Sequence, residues 1–104
     1  EGYWWLAYHG ETPVAFACLR IVPGNFGYLA RAGVLKQHRR HGLHRRLISA
    51  RIAHARRLGW KGVITYTSHD NATSINALTA RGFKAYIPEQ QWAGSAFSYW
   101  WRHF

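Results

Sequence analysis

The run VLKQHRRHGLHRRLI (Val34–Ile48) gathers five cationic side chains and three histidines around one glycine, then turns at once into a helical pattern. Leu43, Leu47, Ile48, Ile52, Ala55 and Leu58 recur along one side of a helix, and Gly59 stands where a helix-ending glycine belongs. Three ligands suit such a run: a nucleic acid, a metal ion, or phosphate groups. His38, His41 and His44 are spaced by three and would converge on an unbroken helix, but Gly42 interrupts them. No cysteine or carboxylate lies near, and the flanking arginines repel a cation, so no metal site is expected. Phosphate fits better. Unpaired N–H groups and the positive dipole end of a helix N-terminus bind anions, and glycine lets the backbone come close to the ligand.

Before this run, YWWLAY (Tyr3–Tyr8) reads as a strand entering the turn HGETP, and VAFACLRIV (Val14–Val22) as a second strand. PGNFG is a turn, and YLARAGV (Tyr28–Val34) a third strand of an antiparallel meander. After it, GVITYT (Gly62–Thr67) is a short β-branched run suited to a buried strand. SHDN offers N-cap chemistry for a second helix over Thr73–Ala80, which Gly82 ends. FKAYI and AFSYWWR (Ala96–Arg102) close the chain as strands. The order β-β-β-α-β-α-β-β implies an α/β fold with a mixed, mostly antiparallel sheet and two main helices.

At 104 residues and 48% apolar content, the chain suits one packed domain over residues 1–104. YWWLAY, its longest apolar run, is far too short to cross a bilayer, and no secretory leader pattern is present. The lone Cys18 has no disulfide partner within the chain and suits a reducing cytoplasm. The formal charge is +10, and no acidic residue occurs between Glu11 and Asp70. Such a field draws phosphates or an acidic macromolecule; its plainer meaning is a solvated helix face. The chain begins with Glu1 and contains no methionine, as expected of a trimmed chain or a fragment.

VLKQHRRHGLHRRLI resembles the acetyl-CoA-binding motif of the GCN5-related N-acetyltransferases: an Arg or Gln, two residues, a Gly, one residue, then Gly or Ala. Arg39 fills the first place and Gly42 the second, whereas His44 replaces the small third residue and Arg40 stands where glycine is common. NATSINALTARGF (Asn71–Phe83) resembles the family's second signature, a helix from Asn to Gly-Phe, and it follows at the right distance.

The resemblance implies a GNAT-like acyl-CoA N-acyltransferase fold holding acetyl-CoA between the strands YLARAGV and GVITYT. Backbone groups of Val34, Leu35 and Lys36 would bind the pantetheine arm. N–H groups of Arg39, Arg40, His41, Gly42, Leu43 and His44 would cradle the pyrophosphate, with the His44 ring turned away from the ligand. Asn71 and Ser74 would line the pantetheine side, and Arg81 would reach an outer phosphate or remain a solvated helix-end cation. The implied reaction is direct attack of a neutral amine on the acetyl thioester, which needs a polarised carbonyl and a proton for the leaving thiolate.

The family's usual general acid, a tyrosine of the second helix, is replaced by Leu78, and residues 28–33 lack the usual glutamate. Tyr28, Tyr66 and Asp70 are the candidates left for proton transfer, with strand packing and an N-cap as their plainer roles. Arg51, inside the apolar arc of the first helix, is expected to reach an edge or to pair with an acid, and Cys18 to pack in the core. Trp92, Trp100 and Trp101 suit the core or a dimer surface, with Trp100 and Trp101 on opposite sheet faces. The competing function is a basic module of the same fold that binds CoA or nucleic acid with little turnover. The two merge if the acceptor amine is carried by RNA or an acidic protein. Family members usually place a strand and two helices before YWWLAY, and these shape the acceptor site.

Overall fold

The computed structural model describes residues 2–104. Among them, six strands and two helices follow in the expected order. They are β1 (Tyr3–His9), β2 (Thr12–Val22), β3 (Phe26–Val34), α1 (Leu43–Arg57), β4 (Gly62–Ser68), α2 (Ala72–Thr79), β5 (Lys84–Tyr86) and β6 (Phe97–His103). A 3-10 turn at Lys36–His38 precedes α1. The strands form one sheet in the order β1-β2-β3-β4-β6-β5. All neighbours are antiparallel except β3 and β4, whose parallel pairing requires the crossover that α1 supplies. Between β2 and β3 the chain reverses through Gly24 and Asn25, both at positive φ (90° and 64°), as tight hairpin turns demand.

Ile48, Ile52 and Ala55 on α1 pack with Leu19, Leu29 and Val63 of the sheet, and Ala77 and Leu78 of α2 join them with Phe83 and Trp100. Burying each large apolar side chain contributes roughly 1.5–3 kcal/mol, which fixes both helices against the sheet. Trp100 belongs to this core, whereas Trp101 is half-buried and its ring stacks on Tyr86 with centroids 3.9 Å apart.

The strands that flank the parallel seam part company early. β3 and β4 pair only from Phe26↔Gly62 to Tyr28↔Ile64. At the next position the Leu29 carbonyl is taken by the Thr65 hydroxyl (3.1 Å). A bulge sits at the same level: Ala30 and Arg31 of β3 stand opposite Cys18 alone, between the pairs Leu19↔Leu29 and Ala17↔Ala32. Bulges bend a strand and end local pairing, and this one turns β3 away from β4. At the closed end, Gly62 has no room for a side chain, because a Cβ there would collide with the Arg102 carbonyl.

Three local readings are corrected. FKAYI pairs only over Lys84–Tyr86, because Phe83 turns inward to the core and Pro88, which has no N–H to donate, follows the 91%-exposed Ile87. The cap of α2 is Asn71, whose Oδ1 accepts from the Ser74 N–H (3.2 Å), and not Asp70. Arg51 reaches neither an edge nor an acid. It is 2% exposed and donates to the carbonyls of Leu47 and Cys18 (3.1 Å each), the second lying on β2 opposite the bulge.

Candidate active site

The splay between β3 and β4 and the N-terminus of α1 frame two clefts that share Ala32, His44, Asn71 and Ser74. The outer one, about 870 Å³, runs from the end of β3 along the α1 N-terminus to α2. The inner one, about 310 Å³, lies in the splay itself.

Backbone conformation makes the outer cleft an anion site. Arg40 and Gly42 both have positive φ (68° and 80°), and the first N–H bonded back into α1 is that of Arg46, to the Gly42 carbonyl (3.0 Å). The N–H groups of Arg40 through Arg45 thus have no backbone partner among the described residues. Gly42 is required for its conformation rather than for space, since a Cβ there would meet only the flexible end of Arg45 at 3.5 Å. The left-handed Arg40 shows why glycine is common at its position in the motif. Arg39 holds the loop shut by donating from Nε to the Val34 carbonyl (3.0 Å). Arg81 is no free cation: it donates to Ser49 Oγ (2.9 Å) and to the Ala77 carbonyl (3.0 Å), joining α1 to α2 beside the cleft.

Of the residues read as cofactor-binding, Val34, Arg39, Arg40, Gly42, Leu43, His44, Asn71, Ser74 and Arg81 line the outer cleft; Leu35, Lys36 and His41 do not. The Leu35 N–H is committed to the Val14 carbonyl (2.8 Å), so it is not free for a pantetheine arm. The His44 ring also departs from expectation. It lines both clefts, with Nε2 3.5 Å from Ser74 Oγ, because the residue faces α2 across the helix–helix contact. Burial, and then the nearby charges of Arg51 and Arg81, hold its pKa below the ordinary value near 6.5.

Tyr28 and Tyr66 line the inner cavity from opposite sides of the splay, with stacked rings 6.4 Å apart. Burial and the neighbouring Tyr66 raise the Tyr28 phenol to about 12, so it keeps its proton at any physiological pH. Trp92 closes over both rings at 5.2 and 5.3 Å, so it belongs to this aromatic cluster. Asp70 is exposed and lines neither cleft. The inner lining holds Arg31 and Arg51 and no carboxylate. Neither arginine was read as a site residue; the available signal was a cation at position 51, seven residues after His44 and so on the same helix face. Among the described residues no group of three or more His, Cys, Asp or Glu side chains is placed to hold a metal ion, and no helix is long and apolar enough to cross a membrane.

No match was found among curated protein sequences. Solved structures do resemble the chain. A putative streptothricin acetyltransferase from Bacillus anthracis, in complex with acetyl coenzyme A, superposes with a TM-score of 0.82 at 22% identity, covering 97% of this chain and 61% of that one. A Bacillus subtilis acetyltransferase in complex with CoA gives 0.85 at 12% identity over 99% and 77%. The ribosomal-protein-S18-alanine N-acetyltransferase of Escherichia coli gives 0.83 at 18% identity over 98% and 68%. The chain thus spans less than two thirds of the first of these relatives. The family model described as "Acetyltransferase (GNAT) family" matches residues 1–83, four fifths of the sequence and both of its motifs through Phe83. The chain belongs to the GNAT acetyltransferase family.

Proposed function

We propose that residues 1–104 act as one catalytic domain that binds acetyl-CoA across the β3–β4 splay and transfers its acetyl group to an amine. The observation that carries this reading is the run of unpartnered N–H groups from Arg40 to Arg45, opening directly onto the parted strands. The pyrophosphate would lie on those N–H groups, with Arg39, Arg40 and Arg45 around it. The pantetheine arm would pass between Val34 and the Asn71–Ser74 turn of α2. The His44 ring must swing aside or flank it. The thioester would then sit in the inner cavity, where the bulge and splay leave strand backbone free to polarise its carbonyl.

The amine attacks as the neutral form, and two guanidinium groups in the cavity disfavour its protonated form on entry. Among the titratable side chains there, His44 is the one suited to accept the amine's proton, since its lowered pKa keeps it neutral. Tyr28 is too weak an acid to be emptied by a thiolate, whose pKa is about 8.5, and so serves as a hydrogen-bond donor to the leaving sulfur. Tyr66 stands beside it for the same task. Asp70, exposed and outside both clefts, takes no part. The acceptor is an amine on a small molecule, or one borne by an acidic protein or RNA that the positive field draws in. A second copy of the chain would complete the open acceptor side in a homodimer. The single buried cysteine suits a cytoplasmic setting.

The test is free-thiol release from acetyl-CoA in the presence of a panel of amines, for the wild type and for His44→Gln. Amine-dependent release that falls about 10²-fold or more in the variant supports the scheme. A folded wild type that binds acetyl-CoA yet releases no thiol with any amine, and shifts RNA in a salt-sensitive way, would instead make the chain a basic binding module.

A further inference from the structure

Arg51 heads the fully buried side chains, and no carboxylate among the described residues contacts it. Two of its five N–H groups are used, by Leu47 and Cys18. Nη2 makes no protein hydrogen bond, yet it is not sealed off as an unpartnered buried atom; Arg51 lines the inner cavity. Burial lowers the guanidinium to about 10, which leaves it a cation at neutral pH.

A lone buried charge is costly to keep, and a fold that keeps one commonly pairs it with something. Here the fold supplies two backbone carbonyls and an opening. The opening leads to a cavity also lined by Arg31, Thr65 and Thr67, with the Thr65 hydroxyl donating to the Leu29 carbonyl and the Thr67 hydroxyl accepting from the Trp100 indole N–H. Ala30, within the bulge, and Ala32, just past it, line the same cavity as Arg51 with short side chains. Planar guanidinium donors match a carboxylate, and such charge-assisted bonds are about twice as strong as neutral ones.

We propose that the inner cavity is a carboxylate pocket in which Arg51 receives an anionic group carried by the acyl chain or by the acceptor. The acyl source would be a CoA thioester of a dicarboxylic acid. The acceptor source would be an amino acid that brings its own carboxylate beside the reacting amine. The acyl arm rests on the CoA-binding reading; the acceptor arm is measurable without it.

The experiment is calorimetric titration of the wild type, Arg51→Met and Arg51→Lys. One arm compares succinyl-CoA with butyryl-CoA, which match in chain length and differ in the terminal carboxylate. The other compares leucine with 3-methylbutylamine, its decarboxylated counterpart. A preference of about tenfold or more for the carboxylate ligand in one arm is expected in the wild type. It falls to near unity in Arg51→Met and is partly kept in Arg51→Lys. The arm that shows it names the source. As a readout that needs no variant, the ¹⁵Nε resonance of Arg51 in the wild type shifts with the preferred ligand. Absence of preference in both arms overturns the pocket, as does a preference unchanged in folded Arg51→Met. If Arg51→Met does not fold, an Arg51 resonance that stays put overturns it. Failure of every CoA thioester to bind would sink the acetyl-CoA reading instead, with leucine and the Arg51 resonance still deciding the pocket.

Discussion

Gly42 and Arg40 occupy the same left-handed conformation two residues apart, and only one of them is suited to it. A left-handed residue with a Cβ is strained by about 1–2 kcal/mol, whereas glycine loses about 0.5–1 kcal/mol through its freer unfolded chain. Arg40→Gly is therefore expected to stabilise the protein by about 0.5–1 kcal/mol. In a domain of this size that is a rise in Tm of a few degrees, read by thermal unfolding. His44 gives a residue-scale prediction of opposite kind. Its folded pKa lies below its unfolded one, so below about pH 6.5 the unfolded chain binds a proton that the folded chain refuses. The stability it lends is present above that pH and is lost on acidification. Urea titrations across pH 5–8 should show this loss, and His44→Gln should show a smaller one. The glycine was legible in the sequence because its spacing from Arg39 is a motif. The direction of the His44 ring and the burial of Arg51 were not legible, because both depend on how α1 meets α2 and on a bulge in β3.

At the scale of elements, the account turns on where β3 and β4 stop pairing. Thr65 ends the ladder with its hydroxyl on the Leu29 carbonyl, inside the core. Thr65→Val keeps the shape and removes the donor, leaving a buried carbonyl unmet; a loss of about 1–3 kcal/mol is expected in denaturant unfolding. Leu78 occupies the place where relatives' resemblance suggested a tyrosine acid, and here it is 3% exposed and part of the core. Leu78→Ala should cost about 2–5 kcal/mol. A stability loss below about 1 kcal/mol would show that α2 is not held by that contact. Strand and helix order was legible from the change of period at Leu43 and from the glycines at 59 and 82. The splay was not: GVITYT reads as an ordinary buried strand, and no local pattern announces that its partner leaves it after Ile64.

Over the whole molecule, fourteen Lys and Arg side chains stand against four acids, and the clefts hold several of the cations and no acid. Binding of a polyanionic cofactor should weaken as salt rises from about 0.01 to about 0.1 M, over which the screening length shrinks from about 30 to about 10 Å. The central claim is that the α1 N-terminus cradles the cofactor's phosphates, and calorimetric titration of acetyl-CoA tests it most directly. The titration compares the wild type with Gly42→Asp at those two salt concentrations. Gly42→Asp puts a carboxylate and a strained backbone where the anion would lie, so the account predicts saturable, salt-weakened binding by the wild type and a loss of at least about tenfold in the variant. A folded wild type that does not bind acetyl-CoA, or a folded variant that binds it equally well, would contradict it.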